Sequence, residues 1–178
     1  YEKHIESHQI KKLITELCLN KKEYIEQGII QKYLENIRNL IISSEVDSFL
    51  IRDVENQVKQ SNFDRIRFRS STNAEDLEGF NGAGLYDSKT GLLDSVEKSF
   101  ELAIKRVWAS TWNYSAFMER EYFGIDQKSV SMAVLCHRSF PNEKANGVII
   151  TKNLYRDNSR GFVINSQYGE ISVVKPPI

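Results

Sequence analysis

Hydrophobic positions recur along this chain with two different periods. Over the first sixty residues the period is helical. Ile10, Leu13, Ile14, Leu17 and Cys18 follow the i, i+3, i+4, i+7, i+8 spacing that gathers apolar side chains on one helical face. Ile30, Tyr33, Leu34, Ile37 and Ile41 repeat that spacing, and Leu50, Val54 and Val58 predict a third, shorter helix. From Arg65 the period falls to two. Ile66 and Phe68 alternate with Arg65, Arg67 and Arg69, the pattern of a strand with one buried and one polar face.

A loop carrying Gly79, Gly82 and Gly84 follows, and then a helix predicted to open at Asp94 or Ser95, with Val96, Phe100, Ile104 and Val107 on its core face. A second helix around "WNYSAFMEREYF" is expected to end at Gly124. Trp108 and Trp112, spaced i, i+4, read as core, and Glu119, Arg120 and Glu121 as a solvated helix face. "VSMAVLCH", "NGVIIT" and "GFVINSQ" read as strands separated by polar turns. Helices in front and strands behind, with helices interposed, predict an α+β fold: a helical region over 1–62, then a mainly antiparallel sheet with helices over 63–178.

Composition acts mainly by exclusion. Lysine plus arginine equal aspartate plus glutamate at 24 each, so no global field favours nucleic acid or a membrane surface, and neither partner is expected. Anion recognition has to be local. Cys18 and Cys136 are too few for a disulfide framework, and no apolar run approaches the length that crosses a bilayer. The charged start, "YEKHIESHQIKK", lacks the apolar stretch of a secretory signal, so the expected compartment is the cytoplasm. Opening on tyrosine and closing on "VVKPPI", the chain reads as a piece of a longer polypeptide.

Arginines on a strand followed by a glycine-bearing loop suit phosphate chemistry. Guanidinium presents a planar fork of donors that matches phosphate oxygens and stays charged at working pH. Glycines let backbone N–H groups approach a polyphosphate, and a nearby hydroxyl adds a donor. Neither G-x-x-x-x-G-K-[ST] nor G-x-G-x-x-G is present. The residues alone therefore leave two readings open: a phosphate-facing strand and loop, or an exposed strand edge with solvated arginines.

The string "RSSTNAEDLEGFNGAGLYDS", Arg69 to Ser88, resembles without a gap the R-S-S-A-T-A-E-D-L-P-x-x-S-F-A-G-Q-x-D/E-T run of phosphoenolpyruvate synthase and its relatives, among them pyruvate phosphate dikinase. "AIKRVWASTWNYSAF", "VSMAVLCHRSF" and "NGVIITKN" resemble later segments of the same family, so the likeness covers residues 65 to about 170, with 1–60 matching only loosely. The resemblance implies part of an ATP-grasp-like nucleotide-binding domain. The parent enzyme would use ATP and Mg2+ to phosphorylate a histidine on another domain of the same polypeptide, for transfer to pyruvate. Other members of the group phosphorylate a glucan or an antibiotic, and a binding module that has lost its chemistry is the remaining alternative.

Residue by residue, the resemblance assigns Arg69 to nucleotide phosphates, with an ion pair to Glu75 or Asp76 as the alternative role. It assigns Gly84 a backbone contact, and Ser88 the position of a family threonine. His137 stands where the family has an adenine-binding glutamine, and Ser139 where a backbone group completes the adenine edge. Arg65 and Arg67 have no family counterpart and read as solvated or loop-pairing residues. Ile150 replaces a family phenylalanine, Leu154 a proline, and "QYGE" is two residues shorter than its counterpart, which leaves Glu170 unassigned. The family's lysine, metal-binding glutamate and phosphohistidine are expected outside this chain, which alone is expected to be catalytically silent. His4 and His8 share a helical face at metal-ligand spacing without a third ligand, so no metal residue is assigned.

Overall fold

The computed structural model describes residues 1–6, 9–156, 159–169 and 173. Its packing divides into two units, Tyr1–Ser139 and Phe140–Ile178.

The first unit opens with helices α1 (Glu2–Glu6), α2 (Ile10–Glu26), α3 (Ile30–Ser43) and α4 (Ser48–Gln60). The periodic residues turn inward as expected: Ile10, Ile14 and Leu17 of α2 and Ile30, Leu34, Ile37 and Ile41 of α3 are buried in one core. Helix α2 stops where Gly28 takes a φ of +70°. There the Ile29 N–H donates to the Tyr24 carbonyl at 3.0 Å and the Gly28 N–H to that of Ile25 at 3.0 Å, which satisfies carbonyls the helix end would otherwise orphan. Helix α4 ends the same way, with Asn62 rather than glycine in the left-handed conformation (φ 55°).

Strands β1 (Arg65–Thr72), β2 (Asp76–Leu77), β3 (Phe80–Asn81) and β4 (Lys89–Leu92) precede α5 (Phe100–Ala109), α6 (Tyr114–Tyr122) and β5 (Met132–Arg138). The sheet order is β4-β1-β5, with both pairings antiparallel, so the arginine strand is central and not an edge. Ile66 and Phe68 point into the core, where the Phe68 and Phe100 rings lie 5.4 Å apart. Gly91, opposite Ile66, leaves room for this contact: a Cβ there would stand 2.7 Å from Phe100 Cδ1 and 2.8 Å from Phe68 Cε2.

Two expectations need correction. Helix α5 begins at Phe100, capped by Ser99, whose hydroxyl accepts from the Leu102 N–H at 3.2 Å. Residues 95–98 form a turn before it, held by the Ser95 hydroxyl and the Lys98 N–H, and Val96 is 92% exposed. The second correction concerns Arg120, which is not on a solvated face but wholly buried. Its Nε donates to Gln127 Oε1 (2.8 Å), one terminal nitrogen to the Tyr86 hydroxyl (3.2 Å) and the other to the Thr111 carbonyl (2.7 Å). Glu121 pairs with Lys21 at 2.7 Å and accepts from Gln127 Nε2 at 2.8 Å; only Glu119 of the three is exposed. Helix α6 ends at Gly124 (φ +69°), as expected.

Trp108 and Trp112 are buried in the same core as α2, α3 and the sheet. A division at 62/63 separates helical from mixed sequence, whereas packing joins both sides of it. In the second unit, β6 (Ala145–Ile150) and β7 (Val163–Tyr168) pair antiparallel, Ala145 opposite Tyr168 and Ile150 opposite Val163. Glu170 lies outside the described residues. Among the described residues no helix is long and apolar enough to cross a membrane.

Candidate functional site

The face of the sheet opposite the core carries most of the residues singled out above. Directly opposed residues of antiparallel strands share a face, and successive residues alternate. Across β1 and β5 the register sets Arg67 opposite His137 and Arg69 opposite Leu135. Just past that ladder, the Ser139 N–H donates to the Arg65 carbonyl, and Arg65 Nε to the Ser139 hydroxyl, both at 3.2 Å. Across β1 and β4 it sets Arg67 opposite Thr90, and a guanidinium nitrogen donates to the Thr90 hydroxyl at 3.0 Å. Ser88, two residues before Thr90, continues that alternation. Arg69, Ser88, His137 and Ser139 thus belong to one face of one sheet.

Arg69 is exposed, and among the described residues it makes no hydrogen bond or ion pair, with Glu75 or any other group; the Asp76 side chain lies outside the described residues. Its charge is not consumed by the fold. The hydroxyl run that follows does structural work: Thr72 Oγ1 accepts from the Ala74 N–H at 3.2 Å, and Asn73 bonds the Ser129 carbonyl and the Ser131 N–H.

Residues 73–88 fold back on themselves and are fastened to the core at several points. Tyr86, buried, donates its hydroxyl hydrogen to the Ala74 carbonyl (3.3 Å) while accepting from Arg120. Phe80 packs edge-on against Phe123 at 5.4 Å, and Asn113 Nδ2 donates to the Leu85 carbonyl at 3.4 Å. Gly82 sits against the Ala74 carbonyl and Glu75 Cα, 3.0 Å each from where a Cβ would stand. Gly84 adopts a φ of +80°, which favours glycine, and among the described residues its N–H has no acceptor.

His137 is half-buried, and its Nδ1 lies 2.7 Å from the Arg138 carbonyl. A carbonyl only accepts, so Nδ1 carries the hydrogen, and in the neutral ring Nε2 is left as an acceptor. The Cys136 thiol, one residue before, is pushed above its ordinary pKa by desolvation.

Beside β4 a cavity of about 290 Å³ is lined by Arg65, Arg67, Ser88, Lys89, Thr90, Lys98 and Arg106, with Leu92, Leu102 and Ala103. Among the described residues no carboxylate lines it, and Lys89 of the lining pairs with Asp87 at 3.0 Å. Arg65 and Arg67 are therefore half-buried wall residues and not solvated ones, while Arg69 stands outside the lining. Of the assigned residues, Ser88 alone reaches the cavity. The alternation that put Arg65 and Arg67 on the face of Arg69 is the signal that could have grouped them with the site.

Among the described residues no three His, Cys, Asp or Glu side chains are arranged to hold a metal ion. His4 is buried with Nε2 3.0 Å from the Ile41 carbonyl, and His8 lies outside the described residues. The cations and hydroxyls of the sheet face do not fit a resident metal.

Comparison with known proteins places the chain in a family. The chain is 24% identical over 150 residues to a Bacillus subtilis (strain 168) protein described as the uncharacterized phosphotransferase YvkC. That match covers 82% of this chain and 17% of the relative, so the chain spans a small part of the relative's length. The family profile described as pyruvate phosphate dikinase, AMP/ATP-binding domain, matches residues 1–175. An antiparallel sheet with a cationic face and a glycine loop pinned beside it is thus found in a chain that belongs to the pyruvate phosphate dikinase AMP/ATP-binding domain family.

Proposed function

We propose that this chain forms one wall of the ATP site of a phosphotransferase with an ATP-grasp-like nucleotide-binding domain. The observation that carries the reading is the shared sheet face of Arg69, Ser88, His137 and Ser139, within a family of AMP/ATP-binding domains. In this reading the unpaired Arg69 guanidinium contacts the phosphates and stabilises charge as the transferred phosphoryl group loosens. The Gly84 N–H and the Ser88 hydroxyl add donors beside it. At the other end of the face, His137 Nε2 accepts from the exocyclic amino group of adenine, and a Ser139 backbone group completes that edge.

Mg2+ enters with the nucleotide, since the described donors do not suit a metal. The whole parent passes the phosphoryl group to a histidine on another domain and then to pyruvate. A different final acceptor is the second reading, because the relative's description specifies only a phosphotransferase. The test is transfer of label from β-32P-labelled ATP to the full-length protein, because a dikinase releases AMP, keeps the β-phosphoryl on its histidine and gives the γ-phosphoryl to water or phosphate. Acid-labile phosphohistidine that passes to pyruvate supports the dikinase reading. Label on another acceptor supports the second, and no label on any acceptor contradicts both.

A further inference from the structure

We propose that His137 makes the base end of this site selective for an exocyclic amino group. Its Nε2 and the Ser139 carbonyl meet the base as hydrogen-bond acceptors, which admits adenine nucleotides and turns away 6-oxo purine nucleotides. This selectivity rests on the ATP reading and names the base that reading admits.

The tautomer is the first support. The Arg138 carbonyl lies 2.7 Å from Nδ1, so the ring hydrogen sits there and neutral Nε2 offers a lone pair. Among the described residues no other group takes that lone pair. The backbone is the second. The Ser139 N–H already donates to the Arg65 carbonyl at 3.2 Å, so a main-chain contact from Ser139 to a base comes from its carbonyl, another acceptor. The strand pattern is the third. Outward positions of β5 run from Leu135, 59% exposed, to His137, with Ser139 next beyond the strand: an apolar edge followed by acceptors.

Base chemistry completes the case. The adenine amino group has hydrogens to give, whereas a 6-oxo purine turns an acceptor oxygen to the same place. Its N1–H satisfies one protein acceptor at most, which leaves O6 against the other. Acceptors left unpaired away from water are costly, and a site shaped to hydrogen-bond an N–H discriminates strongly against an analogue without it. A glutamine would not discriminate in this way, because its amide can present either oxygen or NH2 to the base. In His137 the tautomer fixes the choice.

The test compares ATP with inosine triphosphate, which carries the 6-oxo group and N1–H but is otherwise the same molecule. Each is titrated calorimetrically, with magnesium, into the full-length protein and its His137→Gln variant. The wild type is expected to bind ATP about tenfold more tightly than inosine triphosphate, or better. In His137→Gln that ratio should fall about fivefold or more through tighter binding of inosine triphosphate, a change that loss of a merely structural ring would not produce. Nitrogen-15 NMR of the free protein, with the His137 signals assigned by their absence from the variant, should find the ring proton on Nδ1.

Equal affinity of the wild type for the two nucleotides, a ratio unchanged in His137→Gln, or a neutral ring protonated on Nε2 overturns the selectivity and leaves the ATP reading standing. Binding of neither nucleotide contradicts the ATP reading and the selectivity with it.

Discussion

Arg67 and His137 face each other across adjacent antiparallel strands, the arginine tied to Thr90 on one side and the histidine to its neighbour's carbonyl on the other. Each is oriented by a hydrogen bond to the fold, and the His137 ring keeps Nε2 as an acceptor. On this sheet face, local hydrogen bonds orient polar side chains.

For His137 that arrangement makes a graded prediction. His137→Ala should weaken ATP binding about fivefold, the effect of losing one hydrogen bond worth about 1 kcal/mol. His137→Gln, which keeps an acceptor, should stay within about twofold of wild type. Calorimetric titration of ATP checks both; equal loss in the two variants would mean the ring acts by bulk rather than as an acceptor.

Arg120 couples the core to the glycine loop through Tyr86, which also holds Ala74. Arg120→Met keeps much of the volume but strands Gln127, the Tyr86 hydroxyl and the Thr111 carbonyl. The expected cost is roughly 3 kcal/mol in urea unfolding. ATP affinity should fall as well, because the segment bearing Gly84 loses an anchor. Lys in place of Arg restores the charge but not the fork, so it should recover little of either.

Gly91→Ala places a methyl against Phe68 and Phe100, between the sheet and α5. Overpacking of this kind costs about 1–3 kcal/mol. Thermal unfolding measures it, and the companion change Phe100→Leu should relieve part of the loss.

Asp47 caps α4 by accepting from the Phe49 N–H at 3.0 Å and pairs with Lys3 at 2.6 Å. Lys3 first, then that backbone donor, hold its carboxyl below the ordinary value. A depressed folded-state pKa contributes stability that is present above the unfolded value and lost as pH falls through the folded one. Asp47→Ser, which caps without titrating, should therefore flatten the acid limb of the stability profile relative to wild type, leaving its neutral limb little changed in shape.

Much of this architecture was legible in local patterns. The helical stripes of α2 and α3, the alternation in β1, and Gly124 as a stop all follow from spacing and backbone preference. What was not legible depended on partners distant in sequence. Val96 matched the period of α5, but Ser99 competed for the cap and took it. Arg120 stood at a core position of α6, four residues after Ala116 and three after Phe117, yet its charge argued for solvent until Gln127, Tyr86 and Thr111 came into view. Arg65 and Arg67 shared a face with Arg69 from the outset; that they line a cavity depends on Lys98 and Arg106, some thirty to forty residues later.

The central claim, that this sheet face binds nucleotide phosphates through Arg69, is tested most directly by calorimetric titration of Mg-ATP into the full-length protein and its Arg69→Ala variant. The account predicts saturable binding to the wild type and a loss of at least tenfold in the variant, corresponding to about 1.4 kcal/mol or more, with an unchanged urea midpoint. Equal affinity for the two proteins, or no heat from the wild type at millimolar ATP, would contradict it.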